Sequence, residues 1–179
     1  MNFVYDIPAF KSSTSRLLKT GLGGWQVSGI VTMQSGAPLD VLLTGNNAAS
    51  LIPNARNRPD LVGSIHYPKT LVPAGIQWFD PSAFSSPAPG TWGNLGHNAL
   101  RGPGRDNWNL ALHKSFVFSE NRGSALELRA EAYNAWNHTQ FRADVQSGGY
   151  GNSLGGSNFG VITQAYDPRV FQLGLKLTF

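Results

Sequence analysis

Four histidines, His66, His97, His113 and His138, are the residues of this 179-residue chain best suited to hold a metal or move a proton near neutral pH. A metal site legible in sequence needs two ligands at HxH or HxxxH spacing, and none of the four has such a neighbour. Histidines bonded to water are the simpler reading. Asp80, Asp106, Glu127 and Glu131 supply carboxylates, but a glycosidase pair is defined by its separation in space. No GxSxG elbow surrounds a serine and no GxxxxGK loop is present to cradle a phosphate. The stretch GGYGNSLGG at 148–156 has one feature of a calcium-binding nonapeptide, yet it occurs once and has Ser153 where that repeat places aspartate. With no cysteine, thiolate zinc, iron–sulfur and disulfide chemistry are excluded. The chain is expected to be no enzyme and to carry no metal and no cofactor.

For binding, the candidate contacts are Trp78, Phe79, Phe84 and Trp92, because exposed aromatic rings stack on sugars or peptides at small cost in side-chain entropy. The alternative is that these rings pack their own segment together. The formal charge of +4 comes from basic residues scattered along the chain, without the clustering that a nucleic-acid footprint requires, so no nucleic-acid partner is expected.

These residues are carried by strands. Only 13% of the chain is charged, and 21 glycines and 11 prolines leave few windows long enough for a helix, so the fold class is expected to be all-β. Five long strands separate out, at 2–7, 25–35 with a continuation toward 43, 107–118, 125–136 and 168–179. The last alternates strictly: Phe171, Leu173, Leu175, Leu177 and Phe179 share one face, Gln172, Gly174, Lys176 and Thr178 the other. In the fourth, Leu126, Leu128, Ala130 and Ala132 oppose Glu127, Arg129, Glu131 and Tyr133. In the third, Lys114 breaks an apolar row of Trp108, Leu110, Leu112, Phe116 and Phe118. At a bilayer midplane it would cost about 2 to 4 kcal/mol. A bulge between Leu112 and Phe116, or a snorkelling stem, would relieve it.

The connections alternate between short and long. Short ones fall at 8–24 and 119–124, long ones, rich in glycine and proline, at 44–106 and 137–167. Transmembrane barrels have short periplasmic turns at one end and long extracellular loops at the other. With the carboxyl terminus in the periplasm, both long segments land outside. Trp25, Phe116, Phe118 and Phe179 then lie at the periplasmic strand ends, and Trp108, Trp136 and Phe171 at the outer ends, where barrels carry aromatic girdles. No run of about 18 apolar residues encodes a transmembrane helix. No signal peptide precedes 2–7, so the chain is expected to be the carboxyl-terminal piece of a longer protein.

The closing strand resembles that of bacterial outer-membrane barrels. Their terminal assembly signal runs polar, any residue, glycine, two residues, apolar, any residue, aromatic, which corresponds here to Gln172, Gly174, Leu177 and Phe179. Further phrases, GGWQVSGIVTMQSG at 23–36, WFDPSAF at 78–84, LRGPGRDNWNL at 100–110 and LRAEAYNAWNHTQF at 128–141, resemble the carboxyl-terminal barrel region of TonB-dependent receptors of the Oar-like, carboxypeptidase-regulatory-like group. The resemblance implies that residues 1–179 are part of an outer-membrane barrel domain with five to six long strands. It also implies a transporter whose plug and remaining strands lie elsewhere. Implied partners are outer-membrane lipid, the barrel-assembly machinery, the rest of the barrel and plug, and TonB through the parent protein. The rival reading is a soluble or secreted all-β binding module of carbohydrate-binding type, with its apolar faces in a shared core. A complete eight-stranded barrel would need further strands, for which 64–72 and 159–165 are the candidates.

Overall fold

Period-two alternation produces one sheet of five long strands: Asn2–Asp6, Trp25–Gln34, Arg105–Ser119, Ser124–Tyr133 and Val170–Thr178, each hydrogen-bonded to the next in chain order. The structure, a computed structural model, describes residues 1–10, 12, 14–43, 57–119, 123–144 and 148–179. Residues 120–122 of the tight turn expected at 119–124, across which Ser119 pairs with Ser124, and parts of both long connections therefore lie outside the described residues. The first strand pairs antiparallel with the second, the third with the fourth, and the fourth with the fifth. Three strands of nine or ten residues match the roughly 9 to 11 that a tilted strand needs to cross hydrocarbon.

The chain divides into two compact units, the first being Met1–Met33, Asp106–Thr139 and Asp167–Phe179, and the second Gln34–Arg105 with Gln140–Tyr166. The first holds most of the sheet. The second takes in most of both long connections, and it is more than loop. Expected continuation of the second strand toward 43 gives way to the short strands Pro38–Leu39 and Leu42–Leu43, which pair with Leu100–Arg101 and Ser153–Leu154. The candidate barrel strands at 64–72 and 159–165 form only Thr70–Val72, Val161–Ile162 and Gln164–Ala165. The first two join Gly75–Gln77 in a three-stranded sheet, and the third pairs with Phe141–Arg142.

An apolar core explains this unit. Leu39, Val41, Ile76, Phe79, Leu100, Phe159 and Ile162 are buried together. The rings of Phe79, Phe84 and Phe159 meet edge to face at 5.3 to 5.7 Å between centroids. The Trp78 indole Nε1 donates to the Arg101 carbonyl at 2.7 Å. Asp80 starts the 3-10 turn Pro81–Ala83 by accepting from the Ser82 amide at 2.9 Å. Hydrogen bonds from Ser82, the backbone one first, hold the Asp80 carboxyl below its ordinary value. The buried Tyr150 hydroxyl donates to the Asp40 carbonyl at 2.7 Å, and burial pushes this phenol up to about 12.

Between the first two strands, where a polar turn was expected, residues Arg16–Leu22 form a helix. Seven residues are too few to be stable alone. Both visible ties act at the helix end: the Gly23 amide bonds the Leu18 and Lys19 carbonyls, and the Lys114 ammonium donates to the Gly21 and Gly23 carbonyls at 2.8 and 2.6 Å. A cation at a helix carboxyl end also meets the negative end of the helix dipole. Lys114 Nζ lies 5.4 Å from the Trp25 ring centroid and 4.7 Å from that of Phe116. Register between Leu110 and Val117 is continuous, so no bulge relieves this lysine; the irregularity falls later, between Val117 and Ser119. Its ammonium instead reaches the helix end, with the two rings beside it.

Lys114→Met keeps the stem and leaves two carbonyls without their donor, so it should cost about 1 to 3 kcal/mol. The thermal midpoint of the heat-modifiable folded form in detergent measures this, and an unchanged midpoint would sink the clasp. A second expectation concerns alkaline stability. Because the folded phenol of Tyr150 lies above the ordinary value of about 10, its contribution is complete below about pH 10 and is lost as pH rises through 12. Unfolding curves from pH 9 to 12 should therefore fall less steeply for Tyr150→Phe than for the unmodified chain.

Candidate functional site

Register converts alternation into two surfaces. Across the third, fourth and fifth strands the rows Leu110–Ala132–Phe171, Leu112–Ala130–Leu173, Lys114–Leu128–Leu175 and Phe116–Leu126–Leu177 lie on one side. Rows Ala111–Glu131–Gln172, His113–Arg129–Gly174 and Ser115–Glu127–Lys176 lie on the other. A side chain at Gly29 would meet the Phe3 ring and, at 2.9 Å, the Leu110 side chain, so the apolar face continues onto the first two strands. Glycine there lets those two side chains close over the backbone, and a larger residue would push them aside.

The apolar face is uncovered in the fifth strand, where Phe171, Leu173, Leu175 and Leu177 are between 59 and 82% exposed. A soluble sandwich would bury this row beneath a second sheet. Here it stands as a continuous greasy band far larger than a scattered surface leucine. The polar face pairs its charges. Glu127 stands directly opposite Lys176, the Arg129 Nη2 lies 2.7 Å from Glu131 Oε1, and the Tyr133 hydroxyl donates to Glu131 Oε2 at 3.2 Å.

Aromatic residues sit at both ends of the band. At one end the Trp108 and Trp136 rings meet edge to face at 6.2 Å, the Trp108 indole donates to Asp106 at 2.9 Å, and Phe171 lies beneath the Arg169 guanidinium at 5.0 Å. At the other end are Trp25 and Phe116, flanking Lys114, with Phe118 and Phe179 exposed. Of the four closing-strand positions, Gln172 and Gly174 belong to the polar face, and Leu177 lies on the apolar one, with Phe179 following by alternation. A methyl group at Gly174 would sit 3.9 Å from Arg129 Cβ, an ordinary contact, so packing within the sheet does not demand glycine there.

The loop aromatics are placed differently from a ligand surface. Trp78, Phe79 and Phe84 are buried in the core of the second unit, where ring–ring packing and the indole hydrogen bond occupy them, and of the four only Trp92 is exposed. Among the described residues no three His, Asp or Glu side chains converge as a metal site would need. Sequence reasoning missed one cluster in that unit, Arg105 and Arg142 around the Tyr166 ring. Its members are too far apart in sequence to form a motif.

A family profile described as an outer membrane beta barrel domain matches residues 1–172. The chain matches no curated protein and no solved structure. An exposed apolar band one bilayer-crossing strand high, backed by a charge-paired polar face and joined to that profile over nearly all its length, places the chain: it belongs to the outer membrane beta barrel domain family, and its strands form barrel wall in the outer membrane.

Proposed function

We propose that this chain is the carboxyl-terminal barrel segment of a TonB-dependent receptor of the Oar-like group, serving as pore wall and assembly signal of a transporter and carrying no catalytic residue. The observation that carries the reading is the register, which gathers the apolar residues of three strands on one face, left uncovered along the fifth strand, and the charges of the paired rows, Lys114 apart, on the other. In this reading the apolar face meets lipid, the paired charges line the lumen, and the aromatic residues at each end seat the wall at the two headgroup layers. The long connections at 44–106 and 137–167 then lie on the extracellular side. First and fifth strands each have a neighbour on one side within the sheet. Hydrocarbon does not tolerate a bare strand edge, so further strands of the parent barrel complete both edges. The Oar-like assignment rests on the resemblance of the five phrases. Gly174, free of a packing reason, supports a strand read by the barrel-assembly machinery together with Gln172, Leu177 and Phe179.

Deleting Phe179 from the protein as its host makes it should remove most of the heat-modifiable band from outer-membrane fractions while the polypeptide is still synthesised. Undiminished folded barrel in that strain would overturn the assembly role. Receptor identity has its own readout, since in-cell cross-linking should capture TonB on the assembled protein. A well-inserted barrel that never cross-links to TonB would sink the receptor reading and leave the barrel standing.

A further inference from the structure

Inside the second unit a hollow of about 130 Å³ is lined by Gln34, Gly102, Arg105, Phe141, Arg142 and Tyr166, among others. That space accommodates a group of several heavy atoms. Two guanidinium groups face one ring within it: Arg105 Cζ lies 4.4 Å and Arg142 Cζ 5.9 Å from the Tyr166 centroid. They are not equivalent. Arg142 is paired through its Nε with the Asp144 carboxylate, which also lines the hollow. Arg105 has no carboxylate partner among the described residues, and its Nε is buried without a hydrogen bond.

A cation over a ring face gains from the ring quadrupole, but this contact leaves the in-plane N–H donors of the guanidinium unspent. Burying such a donor unpaired is costly, and the planar fork of arginine matches a carboxylate better than any other anion-binding side chain does. Counting Arg105, Arg142 and Asp144, one positive charge is left over, the complement of a monoanion. We infer that this hollow is a binding site for the carboxylate group of a small ligand, with Arg105 as its counter-ion and Tyr166 and Phe141 as its apolar walls. Two sources present that group on a small body: a sugar acid and the carboxyl terminus of a short peptide. The inference does not rest on the receptor reading, because the site lies within a unit that can be tested for binding alone in the purified protein.

The test is isothermal titration of the purified full-length protein in detergent with galacturonate and with N-acetyl-dialanine, beside the neutral controls galactose and N-acetyl-dialanine amide. Saturable binding of one or both acids, without binding of the matching neutral compound, is expected, and the acid that binds names the source. Arg105→Gln should weaken that binding about tenfold or more, the factor that a hydrogen bond to a charged group supplies. Arg105→Lys, which keeps the charge without the fork, should fall between the two and decides the matter should the glutamine variant not fold. No binding of either acid, equal binding of the neutral controls, or unchanged affinity in the folded variants would each overturn the site.

Discussion

A backbone amide surrounded by hydrocarbon has no water to bond, and this single constraint accounts for the form of the sheet. Continuous ladders, with one shift confined to the Val117–Ser119 end, satisfy the backbone across the third, fourth and fifth strands. Once the ladders are fixed, the two-residue period leaves side chains no choice of side. Slipping the fifth strand by one residue would set Leu173, Leu175 and Leu177 among the charges of the fourth and put Lys176 in lipid. The strict alternation is thus what holds the register, and the register is what makes a wall with a wet and a greasy side.

Lys114 shows how the constraint is met when the alternation is broken. A lysine at an apolar position costs less when its ammonium is given acceptors, and the two carbonyls at the end of Arg16–Leu22 are acceptors that the helix cannot satisfy internally. Each group relieves the other. The helix in turn is tied at its carboxyl end by this contact, and it has no acidic residue in its first turn to add a dipole contact of its own. An aromatic pair, Trp25 and Phe116, flanks the ammonium on the way.

What the sequence makes legible follows from range. All five long strands can be read from residues that are neighbours in the chain, because period two needs only a local window; the described bounds differ from those read by a few residues at most. The helix could not be read, since seven residues containing Gly21 have little propensity of their own and owe their order to Lys114, more than ninety positions away. The second unit was hidden for the same reason. Its core joins Val41, Phe79, Leu100 and Ile162, and its strands are two or three residues long, too short to show a period. The composition that suggested loop, proline and glycine, instead supports close approaches: Gly102 donates to the Ala37 carbonyl at 2.8 Å, and a side chain at Gly36 would strike the backbone of Gly102. The same residue types that forbid helices allow this packing. For Trp78, Phe79 and Phe84 the sequence leaves ligand contact and packing of their own segment both open, and in the structure the three are buried.

At the Trp108–Trp136 end of the sheet the ladder has to stop, and the residues there explain why the phrases around it are rich in asparagine. The chain leaving the fourth strand turns through Asn134 and Asn137, both at positive φ, which asparagine tolerates better than most side chains. Each then replaces ladder bonds with side-chain ones. The Asn134 amide donates to the His138 and Asp167 carbonyls at 3.2 and 3.3 Å, its oxygen accepts from the His138 amide, and its own backbone N–H is received by Asn109. Asn137 accepts from the Arg169 amide at 3.1 Å, tying the entry of the fifth strand to the exit of the fourth. A buried Asn134 is tolerable because its side-chain amide is bonded on both sides, to backbone groups of His138 and Asp167. The sheet thus hands its backbone from strand pairing to side-chain amides at the end that carries Trp108 and Trp136.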